Sequence, residues 1–192
     1  MKAPVNLATH IQKFVVLNEE EIQQVQTFFA AVQVKKKEYI LEEGTICKNN
    51  YFVEKGCLRM FFRNEKGVEQ TTQFAIENWW ISDYMSFTMQ SPATFSIQAV
   101  EHSEIISISI EKLEEMFLQV PKMERYFRAV YQKTTAANQI RMKYLYEFSR
   151  EEQYRHFSTS FPEFIQRIPQ YMLASYLGFT PEYLSEIRKK QP

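Results

Sequence analysis

Residues 168–190 read IPQYMLASYLGFTPEYLSEIRKK, and this stretch decides how the rest of the chain is understood. Gln170–Leu177 suits a short helix, with Leu173 and Leu177 one turn apart and the small Ala174 where a second helix can approach closely. Gly178 supplies the turn, because without a Cβ it takes positive φ at no steric cost. Thr180-Pro181-Glu182 starts a second helix, with Thr as N-cap, Pro at the first helical position and an acid in the first turn. Leu184 and Ile187 then face inward, three residues apart. Short helix, glycine turn and amphipathic helix together make a helix-turn-helix, the unit whose second helix enters a DNA major groove. The same pattern also suits an αα-hairpin used only for packing, and these residues alone leave both open.

Upstream, a helical run extends from Pro121 to about Ser149, with Pro in the first turn where it is tolerated. Met123, Val130, Ala137 and Tyr144 recur every seven residues, each followed four residues later by Phe127, Thr134, Arg141 and Phe148. The seam is loose, with Ala, Thr and Arg inside it, so it is not a clean coiled coil. At about 1.5 Å per residue the run is roughly 42 Å long. That outreaches a small domain and favours pairing with a second copy of the chain, packing on its own domain being the alternative.

Before this helix the texture is short and β-like. Tyr39–Leu41, Tyr51–Val53, Cys57–Arg63, Glu69–Ala75, Phe95–Val100 and Glu104–Ile110 are strand candidates, punctuated by Gly44, Gly56 and Asn64–Gly67. Ile106-Ser107-Ile108-Ser109-Ile110 alternates as a strand with one buried face should. Asn18–Ala31 reads as a helix with Asn18 as N-cap and Glu19, Glu20 and Glu21 in its first turn, and Ser109 caps another through Leu113, Met116 and Phe117. Many short strands at near-regular spacing point to a β-roll or jelly roll.

The chain of 192 residues is 45% hydrophobic and 15% aromatic, enough for a real core and against disorder. No run approaches the roughly 18 apolar residues of a membrane span, and the N-terminus lacks an export signal. The expectation is a soluble cytoplasmic protein without membrane contact, whose Cys47 and Cys57 are reduced. The net charge of zero conceals a split: residues 1–140 carry 15 Lys/Arg against 17 Asp/Glu, and residues 141–192 carry 8 against 6. A mildly basic tail fits DNA binding without deciding it. No metal site is expected, since His10, His102 and His156 are far apart and only two Cys exist. A cupin-like enzyme would need clustered His and carboxylates on its strands, so no catalytic residues and no enzyme activity are expected.

Taken together, the order and spacing of several segments resemble the Crp/Fnr regulators, in particular the short members common in Bacteroidetes. The carriers are Tyr51-Phe52-Val53 with Gly56, Arg63 to Gly67, Phe95 to Glu101, Pro121 with Phe127-Arg128, and Glu151 to Tyr154. They continue in Arg167 to Gln170, Ala174 to Gly178 and Thr180 to Ser185. The resemblance implies an α+β chain: an N-terminal double-stranded β-helix (a β-roll of cyclic-nucleotide-binding type) over 1–120, a dimerisation helix over 121–149 and a winged helix-turn-helix over 150–192. It implies a homodimer that binds a palindromic double-stranded DNA site through Thr180, Glu182, Ser185, Glu186, Arg188, Lys189 and Lys190, with RNA polymerase as a further partner. Glu186 stands where many relatives carry a basic residue, which weakens DNA affinity and keeps open a protein-interaction module of the same fold.

For the effector the sequence departs from the nucleotide-binding pattern. Counting back from Ala99, the ribose-binding pair falls on Ser82-Asp83 and the phosphate cassette on Ala93-Thr94. Ala93 cannot hold a phosphate, no Lys or Arg lies between Lys66 and Lys112, and a buried anion without its cation is costly. Cyclic AMP is therefore not expected, and no cofactor is assigned. Asp83, Tyr84 and Thr94 form the candidate effector pocket, joined by Asn138 and Gln139, which lie where relatives touch the purine. Trp79, Trp80, Tyr84, Phe87 and Phe95 are either an apolar pocket or plain core.

Overall fold

The computed structural model describes residues 5–190, and the side chains of residues 7–189. In chain order the elements are α1 (Val5–Gln12), α2 (Glu19–Thr27), β1 (Ala30–Val34), β2 (Tyr39–Leu41), β3 (Asn49–Lys55), β4 (Leu58–Arg63), β5 (Glu69–Ala75), β6 (Trp80–Ile81), α3 (Tyr84–Met89), β7 (Ser96–Ala99), β8 (Ser103–Ser109), α4 (Ile110–Gln119), α5 (Lys122–Glu147), α6 (Arg150–Ser160), α7 (Pro162–Arg167), α8 (Gln170–Leu177) and α9 (Pro181–Lys190). Two four-stranded antiparallel sheets, ordered β1-β8-β3-β6 and β2-β7-β4-β5, make the expected roll.

The roll's core runs from Leu41, Val53, Leu58 and Ile97 outward to Phe52, Trp80, Met116, Tyr126 and Phe127. Strand β8 corrects one expectation: Ile105 to Ile108 are all buried, Ser107 included, rather than alternating. As a central strand it has the roll core on one side and α4 packed on it, so both faces are covered. The β3–β4 corner needs its glycine. Gly56 has φ +106°, and a Cβ there would stand 2.7 Å from Ser103 Cα.

The helix expected over 18–31 ends at Thr27 instead. Its N-terminus is as read, a reciprocal cap in which Glu21 N–H donates to Asn18 Oδ1 (2.8 Å) and Asn18 N–H to Glu21 Oε2 (2.9 Å). Beyond Phe28 the chain pairs with β8, from Ala30 opposite Ser107 to Val34 opposite Ser103, and this tertiary pairing overrides the helical preference of two alanines.

Helix α5 has the expected extent, but its heptad faces its own chain. Met123, Phe127 and Val130 are buried in the roll core, while Ala137, Tyr144 and Phe148 continue the same face over a groove that leads to the C-terminal helices. The opposite face, Arg128, Thr135, Gln139, Met142 and Tyr146, is exposed. Of the expected seam, Val130 is thus spent on the roll core and Tyr144 packs against Phe148 and His156, while Ala137 is exposed.

Helices α6 to α9 share a core of Phe157, Phe164, Ile168, Leu173, Leu184 and Ile187 that also takes in Cys57, Phe74 and Val100 from the roll. Residues 150–190 hold helices and no strand, so the wing implied by the resemblance has no counterpart among the described residues. No helix among them is long and apolar enough to cross a membrane.

Candidate nucleic-acid interface and sensor site

The α8–α9 unit forms as its residues dictate. Gly178 takes φ +75° at the end of α8, and Phe179 N–H reaches back to the Ala174 carbonyl (2.8 Å), closing the helix. Ala174 is fully buried where α9 crosses, Leu184 and Ile187 point into the core, and Thr180 Oγ1 accepts from Tyr183 N–H (3.2 Å) as the N-cap. With one face buried, the spacing of Glu182, Ser185, Glu186 and Lys189 puts all four on the other. Glu182, Glu186, Arg188 and Lys189 are exposed and Ser185 is half-buried. The Lys190 side chain lies outside the described residues. Sequence reasoning missed what holds α9 in place: the Tyr183 hydroxyl donates to Glu151 Oε1 (2.8 Å), and Arg150 lies over the Tyr183 ring.

The unit is fastened to the roll at three points. Ser175 on α8 accepts from Thr71 N–H and donates to the Glu69 carbonyl, both at 2.8 Å, while Gln70 Nε2 donates to the Ser175 carbonyl. Arg141 on α5 donates to the carbonyls of Thr72 and Tyr176 and stacks over the Tyr176 ring (4.0 Å). Arg167 reaches from the end of α7 to both oxygens of Glu77 (2.9 Å each), to Glu101 Oε1 (2.6 Å) and to the Gly56 carbonyl (2.9 Å). Burial alone would raise the Glu77 carboxyl, but bonds from Arg167 and from Gly56 N–H hold it below the usual carboxylate range.

Of the candidate effector residues the structure brings Asp83 and Thr94 into contact, with Tyr84 beside Asp83 in the chain, but not Asn138 and Gln139. Asp83 is buried with both carboxylate oxygens in use, one capping α3 through Ser86 N–H (3.1 Å), the other accepting from Thr94 N–H (2.9 Å). Ala93 is buried, its N–H and carbonyl bonded to Thr45 and Gly44. Tyr84 packs edge-on against Tyr131 (5.4 Å), and burial pushes its hydroxyl pKa up. Asn138 and Gln139 are both exposed on α5, and each lines a different depression. The aromatic group also disperses: Phe87 and Trp80 are core, Phe95 meets Phe62, and Trp79 is 45% exposed. Cys47 and Cys57 are free and buried, and burial pushes the Cys57 thiol up to about 12. No group of three or more His, Cys, Asp or Glu among the described residues could hold a metal ion.

Residues 31–120 match the family model for the cyclic nucleotide-binding domain. The chain is 25% identical over 165 residues to the transcriptional activator protein Anr of Pseudomonas protegens, covering 80% of this chain and 67% of that protein. It is 22% identical over 185 residues to the anaerobic regulatory protein of Pasteurella multocida, covering 89% and 66%. It spans about two thirds of the length of these curated relatives. Among solved structures, the c-di-GMP responsive global regulator CLP of Xanthomonas campestris superposes with a TM-score of 0.71 at 16% identity, over 90% of this chain and 91% of that one.

Proposed function

We propose that this chain is a transcription regulator of the Crp/Fnr type, which binds a palindromic DNA duplex as a homodimer and does not respond to cyclic AMP. The observation that carries the reading is α9, whose inner residues Leu184 and Ile187 are locked into the core while Glu182, Glu186 and Lys189 stand free on one face. Glu182 near the helix start accepts from cytosine N4, and Ser185 bonds to several bases. Arg188 and Lys189 contact phosphate without reading sequence. Glu186 repels phosphate and keeps affinity modest. The dimer forms through the exposed face of α5, where Thr135, Gln139, Met142 and Tyr146 repeat at four- and three-residue steps.

The cyclic AMP part rests on Asp83, whose carboxylate is spent inside the chain, and on the absence of any Lys or Arg between residues 66 and 112. Selection from a random duplex library tests the main reading, with a two-fold symmetric consensus expected. The absence of any symmetric consensus at low salt overturns it. Calorimetry with cyclic AMP tests the second part, and a dissociation constant below about 10 µM, or −7 kcal/mol, refutes it.

A further inference from the structure

Between the roll, the inner face of α5 and helices α6 to α8 lies a groove of about 570 Å³, whose lining includes neither Asp83 nor Thr94. Its walls are Phe74, Trp80, Val130, Tyr144, Phe157 and Phe164, and Trp79, Ile140, Leu145 and Phe161 leave substantial apolar surface open to it. A patch of this kind on a soluble chain marks a binding site. The lining contains Lys133, Arg141, His10 and His156 and no Asp or Glu, in a chain with 23 acidic residues.

Lys133 and His10 sit together at one end, while Arg141 lies at Tyr176 and His156 at Tyr144 and Phe148. Lys133 Nζ lies 4.5 Å from the centre of the Phe14 ring, and the His10 ring packs against Phe14 at a tilt, 5.1 Å between centres. Among the described residues Lys133 has no carboxylate partner. The Tyr126 hydroxyl accepts from Trp80 Nε1–H (2.8 Å) and bonds His10 Nδ1 (2.8 Å). With that proton on Tyr126, the ring N–H of His10 is on Nε2. Burial, with Lys13 and Lys133 nearby, lowers the His10 pKa to about 4, so the ring is neutral at physiological pH.

We propose that this groove binds a small carboxylic acid with an apolar body, its carboxylate on Lys133 and the His10 N–H and its body among the rings of α5, α6 and α7. At about 30 Å³ per water-sized atom the groove holds on the order of 20 non-hydrogen atoms, the size of a medium-chain fatty acid or an aryl carboxylate. An acid-free lining supplies the charge complementarity, and the rings supply the contact area. Such a ligand touches the roll, α5 and the C-terminal helices at once, beside the Arg141 link. The proposal concerns binding and stands whether or not the chain binds DNA.

Both tryptophans of the chain, Trp79 and Trp80, line the groove, so intrinsic emission reports its occupancy. Dodecanoate, below its micellar concentration, is expected to change the emission saturably, and dodecanol to bind about fivefold more weakly. Lys133→Met should weaken dodecanoate by the same factor and leave dodecanol unchanged. Ala137→Phe, at an exposed lining position, should abolish the response to both while preserving the circular dichroism spectrum. No saturable response to dodecanoate, equal affinity for dodecanol, or full binding by Ala137→Phe overturns the proposal. If Ala137→Phe instead changes the oligomeric mass in light scattering while dodecanoate gives no response, the groove is covered by a second copy and the proposal falls.

Discussion

Arg167→Ala should cut the strongest link between the roll and the C-terminal helices. Arg167 and its two carboxylate partners are each about one third exposed, so solvent screens the pairs. Each pair then contributes up to about 1 kcal/mol, and the bond to the buried Gly56 carbonyl about 1 kcal/mol more. The expected loss is about 2–3 kcal/mol, which at a urea m-value of about 2 kcal/mol/M lowers the midpoint by about 1–1.5 M. Arg167→Lys should fall between, because one ammonium cannot reproduce the fork that serves Glu77, Glu101 and Gly56 together. Acidity gives a second reading. The Glu77 carboxyl is held below 4.5 in the folded chain, so its contribution is full above that value and is lost as pH falls through the folded pKa. The gap between wild type and Arg167→Ala should therefore be complete at neutral pH and narrow only below pH 4.5, toward the share carried by the Gly56 carbonyl bond. A midpoint shift under about 0.3 M, or a gap that survives undiminished in acid, would refute the reasoning.

Three further outcomes are expected. Gly56→Ala combines a φ of +106° with a clash against Ser103 and should cost about 3 kcal/mol, a Tm drop of about 6–12 °C by calorimetry, whereas Gly67→Ala, in open space, should cost about 1 kcal/mol. In fluorescence anisotropy, Lys189→Ala should weaken all duplexes alike and flatten the salt slope by about one unit per phosphate contact, while Glu182→Ala should relax preference at one base pair per half-site, by about 1–3 kcal/mol; equal effects of the two would sink the division of roles. Met142→Glu with Tyr146→Glu should give folded monomers in light scattering, whereas Val130→Glu, buried in the roll core, should unfold the chain.

Local signals were legible where a residue type has one physical use. The Asn18–Glu21 cap, Ser109 as N-cap, Gly178 at positive φ and the Leu184/Ile187 pair all stand where the residues imply. What depends on a distant partner was not. Strand β1 exists because β8 offers it a ladder, and the two-residue β6 has no sequence period to detect. The α5 heptad is real as a pattern, but nothing in it says whether a neighbour or a second copy fills the seam. For the candidate site, the outward residues of α9 follow from helical geometry, while the three fastenings to the roll join residues 66 to 111 positions apart. Arg167 was visible only as part of a family resemblance, with no local clue that its partners would be Glu77 and Glu101.

The stitching of α8 along β5 has a consequence beyond positioning. β5 is the outer strand of its sheet, and such a strand ordinarily offers unpaired N–H and carbonyl groups to any other chain that comes by. Here Ser175 occupies Thr71 N–H and the Glu69 carbonyl, and Arg141 takes the Thr72 carbonyl. The first helix of the α8–α9 unit is thus also the sheet's stopper against self-association. A movement of that helix away from the roll would uncork a sticky edge, so this chain's freedom to swing its C-terminal helices is bounded by the need to keep that edge covered.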